Sequence, residues 1–200
     1  MKDKPLPDMI REVVNGVVDT AKAIFSKEGD LRPMFFLLSD DKRVMVVDVG
    51  MLMGSDEDKD KVPEIIKNLG EGVSPVAIMH VSESWLFDEK RVVETLGLTK
   101  EGLIVKQDAY NAARGQILLN LYQLYHHLYG SISHAPFAAE AITVTLDTIW
   151  GVWIRKIDIV RDGEKATLRD NPWVSADGLE GRFANILKKT PSMGPDGPVT

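Results

Sequence analysis

Apolar residues near the start of the chain recur at steps of three and four, which draws one stripe along a helix. The stripe begins at Ile10 and ends at Phe25. Pro7 suits the first turn of such a helix, and Gly29 followed by Pro33 marks its end. The pattern therefore predicts a long amphipathic helix as the first element.

Two short apolar runs come next, Met34 to Leu38 and Val44 to Val49, and the polar segment 39–43 joins them. Runs of this length around a polar turn predict a β-hairpin. Both runs are apolar at nearly every position. We therefore expect both strands to be central in a sheet and covered on both faces.

A second helix is predicted where Val62, Ile66 and Leu69 share one face. Pro63 must lie in the first turn of this helix or kink it, and we place the predicted start near Asp60, with an acidic run just before it. Between the hairpin and this helix, residues Met51 to Met53 are expected to fill a gap in the core or a groove of a partner.

A strand is predicted over residues 75–87, and its side chains alternate between two faces. His80 and Ser82 share one face, whereas Glu83 lies on the other. Residues 88–108 are charged and interrupted by glycines, which predicts a loop or an insertion.

Later elements are predicted as a helix over 109–129 and strands over 141–148 and 150–161. Asp162-Gly163 is typical of a tight hairpin turn that leads into a returning strand. Ser175 is predicted to be the N-cap of a last helix. The segment after residue 190 is rich in Pro and Gly and is expected to be a flexible tail.

This order of elements predicts an α+β fold: a mixed, mostly antiparallel sheet of about five to six strands with helices packed against it. Residues 1–190 are predicted to form a single domain, with 88–108 as an insertion or loop. Residues 191–200 are predicted to be the tail.

Composition narrows the classes of function. The chain has no Cys, which removes disulfide, thiolate-zinc and cysteine-nucleophile chemistry. Its net charge of −6 argues against broad binding to nucleic acid or to anionic membranes. We find no signal peptide and no apolar run long enough to span a membrane, so a cytoplasmic location is expected.

The acidic run has the alternating spacing of an EF-hand calcium loop at Asp56, Asp58 and Asp60. The loop then requires a Gly and a bidentate Glu. Lys61 and Lys67 stand in those positions. The alternative interpretation is that acids precede a helix because its dipole favours them there.

A carboxylate site for a divalent metal is a second possibility. Asp48 ends a strand, as do the metal-binding aspartates of many nucleases, and Glu83 at the end of another strand supplies a second carboxylate. Asp56 or Asp58 would complete the metal ligands. Such a site requires these groups to converge, and no other cofactor is predicted.

His80 is the third candidate catalytic residue, beside Asp48 and Glu83. His80 cannot cooperate directly with Glu83 because the two point to opposite faces. A Ser82–His80 pair would require an orienting acid and oxyanion donors, and the chain has no G-x-S-x-G elbow. A core histidine is the simpler interpretation.

The strand that closes on Ser82-Glu83-Ser84-Trp85 follows an acidic turn and the helix start Lys59-Asp60. This sequence resembles a loosely defined group of bacterial and phage proteins whose third strand ends in Ser-Glu-x-Trp. The resemblance covers the first half of the chain and the segment from Glu140 to Arg169. It implies an α+β fold and carries no activity.

Without a catalytic signature, the sequence favours a non-catalytic interaction or structural protein over an enzyme, with a phage origin as part of that hypothesis. A protein partner or self-association is expected. The alternative is a small metal-dependent hydrolase or nuclease that uses the strand-end carboxylates.

Overall fold

A computed structural model describes residues 5–87, 138–163 and 165–176, together with residues 123, 127, 128, 130, 131, 133, 183, 186 and 187. Two α-helices are described, α1 (Asp8–Glu28) and α2 (Asp56–Glu71), with a 3-10 helix at Gly50–Leu52. The strands are β1 (Met34–Leu38), β2 (Val44–Asp48), β3 (Ala77–Phe87), β4 (Ala138–Thr148), β5 (Gly151–Asp162), β6 (Lys165–Asp170) and β7 (Val174–Ser175).

The seven strands form one sheet in the order β2-β1-β3-β4-β5-β6, and β7 pairs with β5 beside β6. Every pairing between the described strands is antiparallel. The predicted fold class, α+β with a mostly antiparallel sheet and helices against it, is confirmed. None of the described helices is both long and apolar enough to cross a membrane.

Helix α1 covers one face of the sheet, named here the α1 face. Its stripe of Ile10, Val14, Val18, Ala21 and Phe25 is buried, as the periodicity predicts. Gly29 ends the helix with φ 80°, and its N–H donates to the carbonyl of Phe25. Glycine adopts this left-handed conformation without the steric cost of a side chain.

Helix α2 covers the opposite face, named the α2 face. It begins at Asp56, four residues before the predicted start. Ser55 caps it, since its Oγ accepts from the backbone N–H of Asp58 at 3.1 Å. The acidic run is therefore the first turn of the helix, where the dipole favours it. Pro63 lies inside the helix, so the first of its two expected positions, in the first turn, is wrong.

Strand β2 is not central and covered on both faces, so the expectation for this strand was wrong. It lies at the end of the strand order, and its residues alternate between exposed and half-buried. Only β1 of the predicted hairpin is central and buried. Apolar side chains at every position cannot distinguish a strand buried on both faces from an edge strand with one apolar exposed face.

In the second half of the chain a turn follows β5 as predicted, with Gly163 at φ 61°, although Asp162 still lies in β5 and pairs with Lys165. Ser175 lies in β7 and pairs with Trp153. Residues 177–182, where the helix predicted to follow Ser175 would begin, lie outside the described residues. The predicted insertion 88–108 and tail 191–200 lie outside the described residues. So does most of the predicted helix 109–129, although Gln123, His127 and Leu128 are helical.

Candidate functional site

The three candidate catalytic residues do not meet. Asp48 and Glu83 lie on the α1 face, and His80 lies on the α2 face. Asp48 is level with Met34 in β1 and thus with Val81 in β3, two strands away. Glu83 is two residues further along β3, which separates the two backbones by roughly 12 Å given normal strand spacing.

Each candidate metal ligand near α2 has a local partner. Asp48 Oδ1 accepts from the N–H of Gly50 at 2.8 Å. Asp56 forms an ion pair with Lys59 at 3.5 Å. The pKa of Asp58 lies below its usual value because the Ser55 hydroxyl and Lys61 donate to its carboxylate. Within the described ranges, no group of three or more His, Cys, Asp or Glu side chains could hold a metal ion.

Glu83 instead belongs to a carboxylate pair with Glu140, a residue in β4 that sequence reasoning missed. Glu140 has a side chain only 4% exposed, and Arg161 of β5 binds it through two nitrogens, with the Nε to Oε2 distance at 2.5 Å. The guanidinium also lies 5.8 Å from the centre of the Phe25 ring. The Arg161 guanidinium therefore interacts electrostatically with two neighbouring carboxyl groups, those of Glu83 and Glu140, at this end of the α1 face.

The pKa of Glu83 is raised above its usual value. Partial burial is the main cause, and a hydrogen bond and like charge from Glu140 add to it. Arg161 and the backbone N–H of Leu31 oppose the shift. Two carboxyl groups that share a hydrogen bond favour a state in which one of them keeps a proton.

His80 lies between two rings on the α2 face. Its ring centre is 4.6 Å from that of Phe35 and 4.8 Å from that of Phe183. Its Nε2 is buried and forms no hydrogen bond. Burial lowers the pKa of His80 to about 4, so the ring is neutral at pH 7.

Other polar groups of the α2 face bond among themselves. The Ser84 hydroxyl lies 2.8 Å from Thr143 Oγ1 and 3.4 Å from Ser82 Oγ. Asp147 Oδ2 accepts from the N–H of Leu187 at 2.9 Å. None of these contacts involves His80. Its ring packing and its buried Nε2 without a hydrogen bond favour the interpretation of His80 as a core histidine.

The outer edge of β2 carries backbone groups that pair with no other strand among the described residues. Ser39 donates to the carbonyl of Arg43, and Val49 donates to that of Pro33, so the odd-numbered residues of this segment face β1. In an antiparallel ladder the alternate residues point their N–H and C=O groups to the other side. These residues are Val44, Val46 and Asp48.

The side chains at this edge are apolar and exposed. Val44 is 39% exposed and Val46 56%. Beyond the strand end, Met51 is 98% exposed, whereas Leu52 and Met53 pack against the core of the α2 face. An open groove of about 540 Å³ continues from the strand, lined by Arg32, Pro33, Asp48, Gly50 and Met51.

Comparisons with known proteins show no family for this chain, because no family model, curated protein or solved structure matches it.

We predict that burial of His80 makes the protein sensitive to acid. The folded pKa lies below the value of 6.5 expected in the unfolded chain, so the unfolded state binds a proton first. Stability should fall as the pH drops from about 6.5 to about 4, by about 3 kcal/mol in all. His80→Phe keeps the ring contacts. Its free energy of unfolding, measured by urea unfolding at each pH, should lack this part of the pH dependence. His127→Phe, at an exposed histidine, is the control. Equal pH profiles for wild type and His80→Phe would contradict the prediction.

We predict that Glu83→Gln stabilises the fold at neutral pH. Because the folded pKa of Glu83 is raised, ionising it costs folding free energy at neutral pH, and this cost disappears below the unfolded value of 4.5. The gain should be up to about 1 kcal/mol, as for a like-charge contact at a partly exposed site. It should shrink as the pH falls through the folded pKa. Glu64→Gln, on the exposed side of α2, is the control. A lower free energy of unfolding for Glu83→Gln at pH 7 would refute this account.

Proposed function

We propose that this chain is a protein-interaction module that binds an extended strand of a partner protein along the outer edge of β2. One observation carries the proposal: the N–H and C=O groups of Val44, Val46 and Asp48 point away from β1, beside exposed valine side chains.

The physical argument begins with the backbone. A row of outward N–H and C=O groups on a sheet edge is a template for another strand, because a new strand completes the same ladder. Exposed apolar side chains beside the row add a hydrophobic gain when the partner covers them. Both features occur on the same five-residue strand, β2.

The other edge of the sheet differs in the way expected for a protected edge. Strand β6 is almost fully exposed and carries Lys165, Arg169 and Asp170. Charges on an edge strand oppose the approach of another strand, and Lys is common in this role. In β2 the residues Val44 to Val47 are all apolar, with Arg43 before them and Asp48 at the end. The contrast supports β2 as the pairing edge.

The groove beside Met51 extends the same surface. It begins at Asp48, where the strand ends, and Arg32 lines its wall. Within the described part of the chain Arg32 forms no ion pair, so its guanidinium can bind an acidic group of the partner. The exposed thioether of Met51 offers an adaptable apolar contact. A partner strand longer than β2 would lie over both.

The alternative of a metal-dependent hydrolase has weaker support. Asp48 and Glu83 are two strands apart, and Glu83 is hydrogen bonded to Glu140. Two-metal catalysis requires carboxylates that converge on ions about 4 Å apart.

We predict that Val46→Pro abolishes strand binding and leaves the fold intact. The N–H of Val46 points away from β1, so proline removes an outward donor and no bond of the β1–β2 ladder. Wild-type protein in dilute solution should raise the fluorescence anisotropy of a labelled strand-forming peptide of alternating valine and threonine with one lysine end and one glutamate end. Val46→Pro should not, although its circular dichroism and melting temperature should stay near those of the wild type.

The control is Val160→Lys, which alters a valine that is similarly exposed, at 52%, but lies in β5 away from the edge. It should bind the peptide like the wild type. Equal binding by Val46→Pro and wild type, or no binding by the wild type, would refute the proposed function.

A further inference from the structure

We infer that the strand accepted by β2 is the β2 strand of a second copy of this chain, paired antiparallel about a twofold axis at Val46. The inference rests on the proposed function and names the partner for the same edge. Its basis is the register of the outward groups and the charges at the two ends of the strand.

The register follows from the hydrogen-bonding pattern. An antiparallel pair gains most when every outward residue faces an outward residue of the partner. In this register Val46 lies opposite Val46 of the second copy. Val44 of each chain then lies opposite Asp48 of the other chain. All three outward residues are then used on each chain. A shift by two residues in either direction leaves one of the three without a partner in the strand.

The twofold axis is perpendicular to the sheet, so the α1 face of one copy continues the α1 face of the other. Val44 and Val46 are exposed on that face in both chains. In the pair, Val46 lies directly opposite Val46 of the second copy, and Val44 is the diagonal neighbour of that valine. Apolar cross-strand pairs of this kind stabilise a sheet by a few tenths to about 1 kcal/mol each.

Charge supports the antiparallel direction. Lys42 and Arg43 stand just before β2, where Arg43 also pairs with Asp41 at 2.6 Å, and the strand ends on Asp48. Antiparallel pairing brings Lys42 and Arg43 of one copy toward Asp48 of the other, whereas parallel pairing would place the two Asp48 carboxylates side by side.

Paired strands of five residues bury less surface than a stable protein–protein interface of standard size, which covers about 1,600 Å². The dimer should therefore depend on protein concentration. Light scattering after size-exclusion chromatography is expected to find monomer in dilute samples and dimer in concentrated ones.

Two substitutions at one position test the register. Val44→Asp places a carboxylate directly opposite Asp48 of the second copy, twice in each dimer, and Val44→Lys places an ammonium there. Both variants lose the same valine. The dimer dissociation constant of Val44→Asp should exceed that of Val44→Lys by about tenfold or more. The double variant Val44→Asp/Asp48→Lys should recover dimerisation, since each aspartate then faces a lysine.

Each other outcome is decisive. A wild type that remains monomeric in concentrated solution, or equal dissociation constants for the two Val44 variants, overturns self-pairing. If that monomer still binds the strand-forming peptide and Val46→Pro does not, self-pairing fails while the proposed function stands. If Val46→Pro changes neither peptide binding nor dimerisation, both fail.

Discussion

The antiparallel pairing of β3 with β4 over eleven residues is the constraint on which the other features depend. It runs through the centre of the sheet and sends alternate side chains to opposite faces. His80, Ser82 and Thr143 fall on the α2 face, and Glu83 and Glu140 fall on the α1 face. Because the register is fixed over eleven residue pairs, the polar side chains of one face cannot come into contact with those of the other face. On the α1 face Arg161 pairs with Glu140. On the α2 face the hydroxyl groups of Ser82, Ser84 and Thr143 lie within hydrogen-bonding distance of one another, and the Nε2 of His80 stays without a hydrogen bond.

The same sheet leaves two edges, and they differ in chemistry. Charged residues protect β6, whereas β2 joins outward backbone groups to exposed valines and ends beside a groove. An apolar edge of this kind is a liability for a lone chain, because any available strand can pair with it. A specific partner turns the liability into an interface. The buried polar groups make the free energy of unfolding depend on pH, and the β2 edge is the surface that we propose for strand pairing.

The sequence alone was enough for elements with a local signal. Helix α1, the β1–β2 hairpin and the turn at Gly163 follow from periodicity and turn chemistry, and alternation placed His80 and Glu83 on opposite faces. The start of α2 also had a local signal, the cap formed by Ser55 with Asp58, but Pro63 outweighed it in the prediction. The Glu83–Glu140 pair could not be predicted, because it depends on cross-strand register between segments more than fifty residues apart. For β2, the apolar pattern predicted coverage on both faces, and the structure leaves one of them exposed on a single chain.

Residue-resolved hydrogen exchange of the backbone amides in β2 tests the central claim most directly. Met45 and Val47 donate toward β1 and should be protected at every protein concentration. Val44, Val46 and Asp48 should exchange quickly in dilute protein, since their N–H groups face solvent, and should become protected as the concentration rises and the strands pair. Fast exchange of these three amides in concentrated protein, without added peptide, would contradict pairing between copies at the β2 edge.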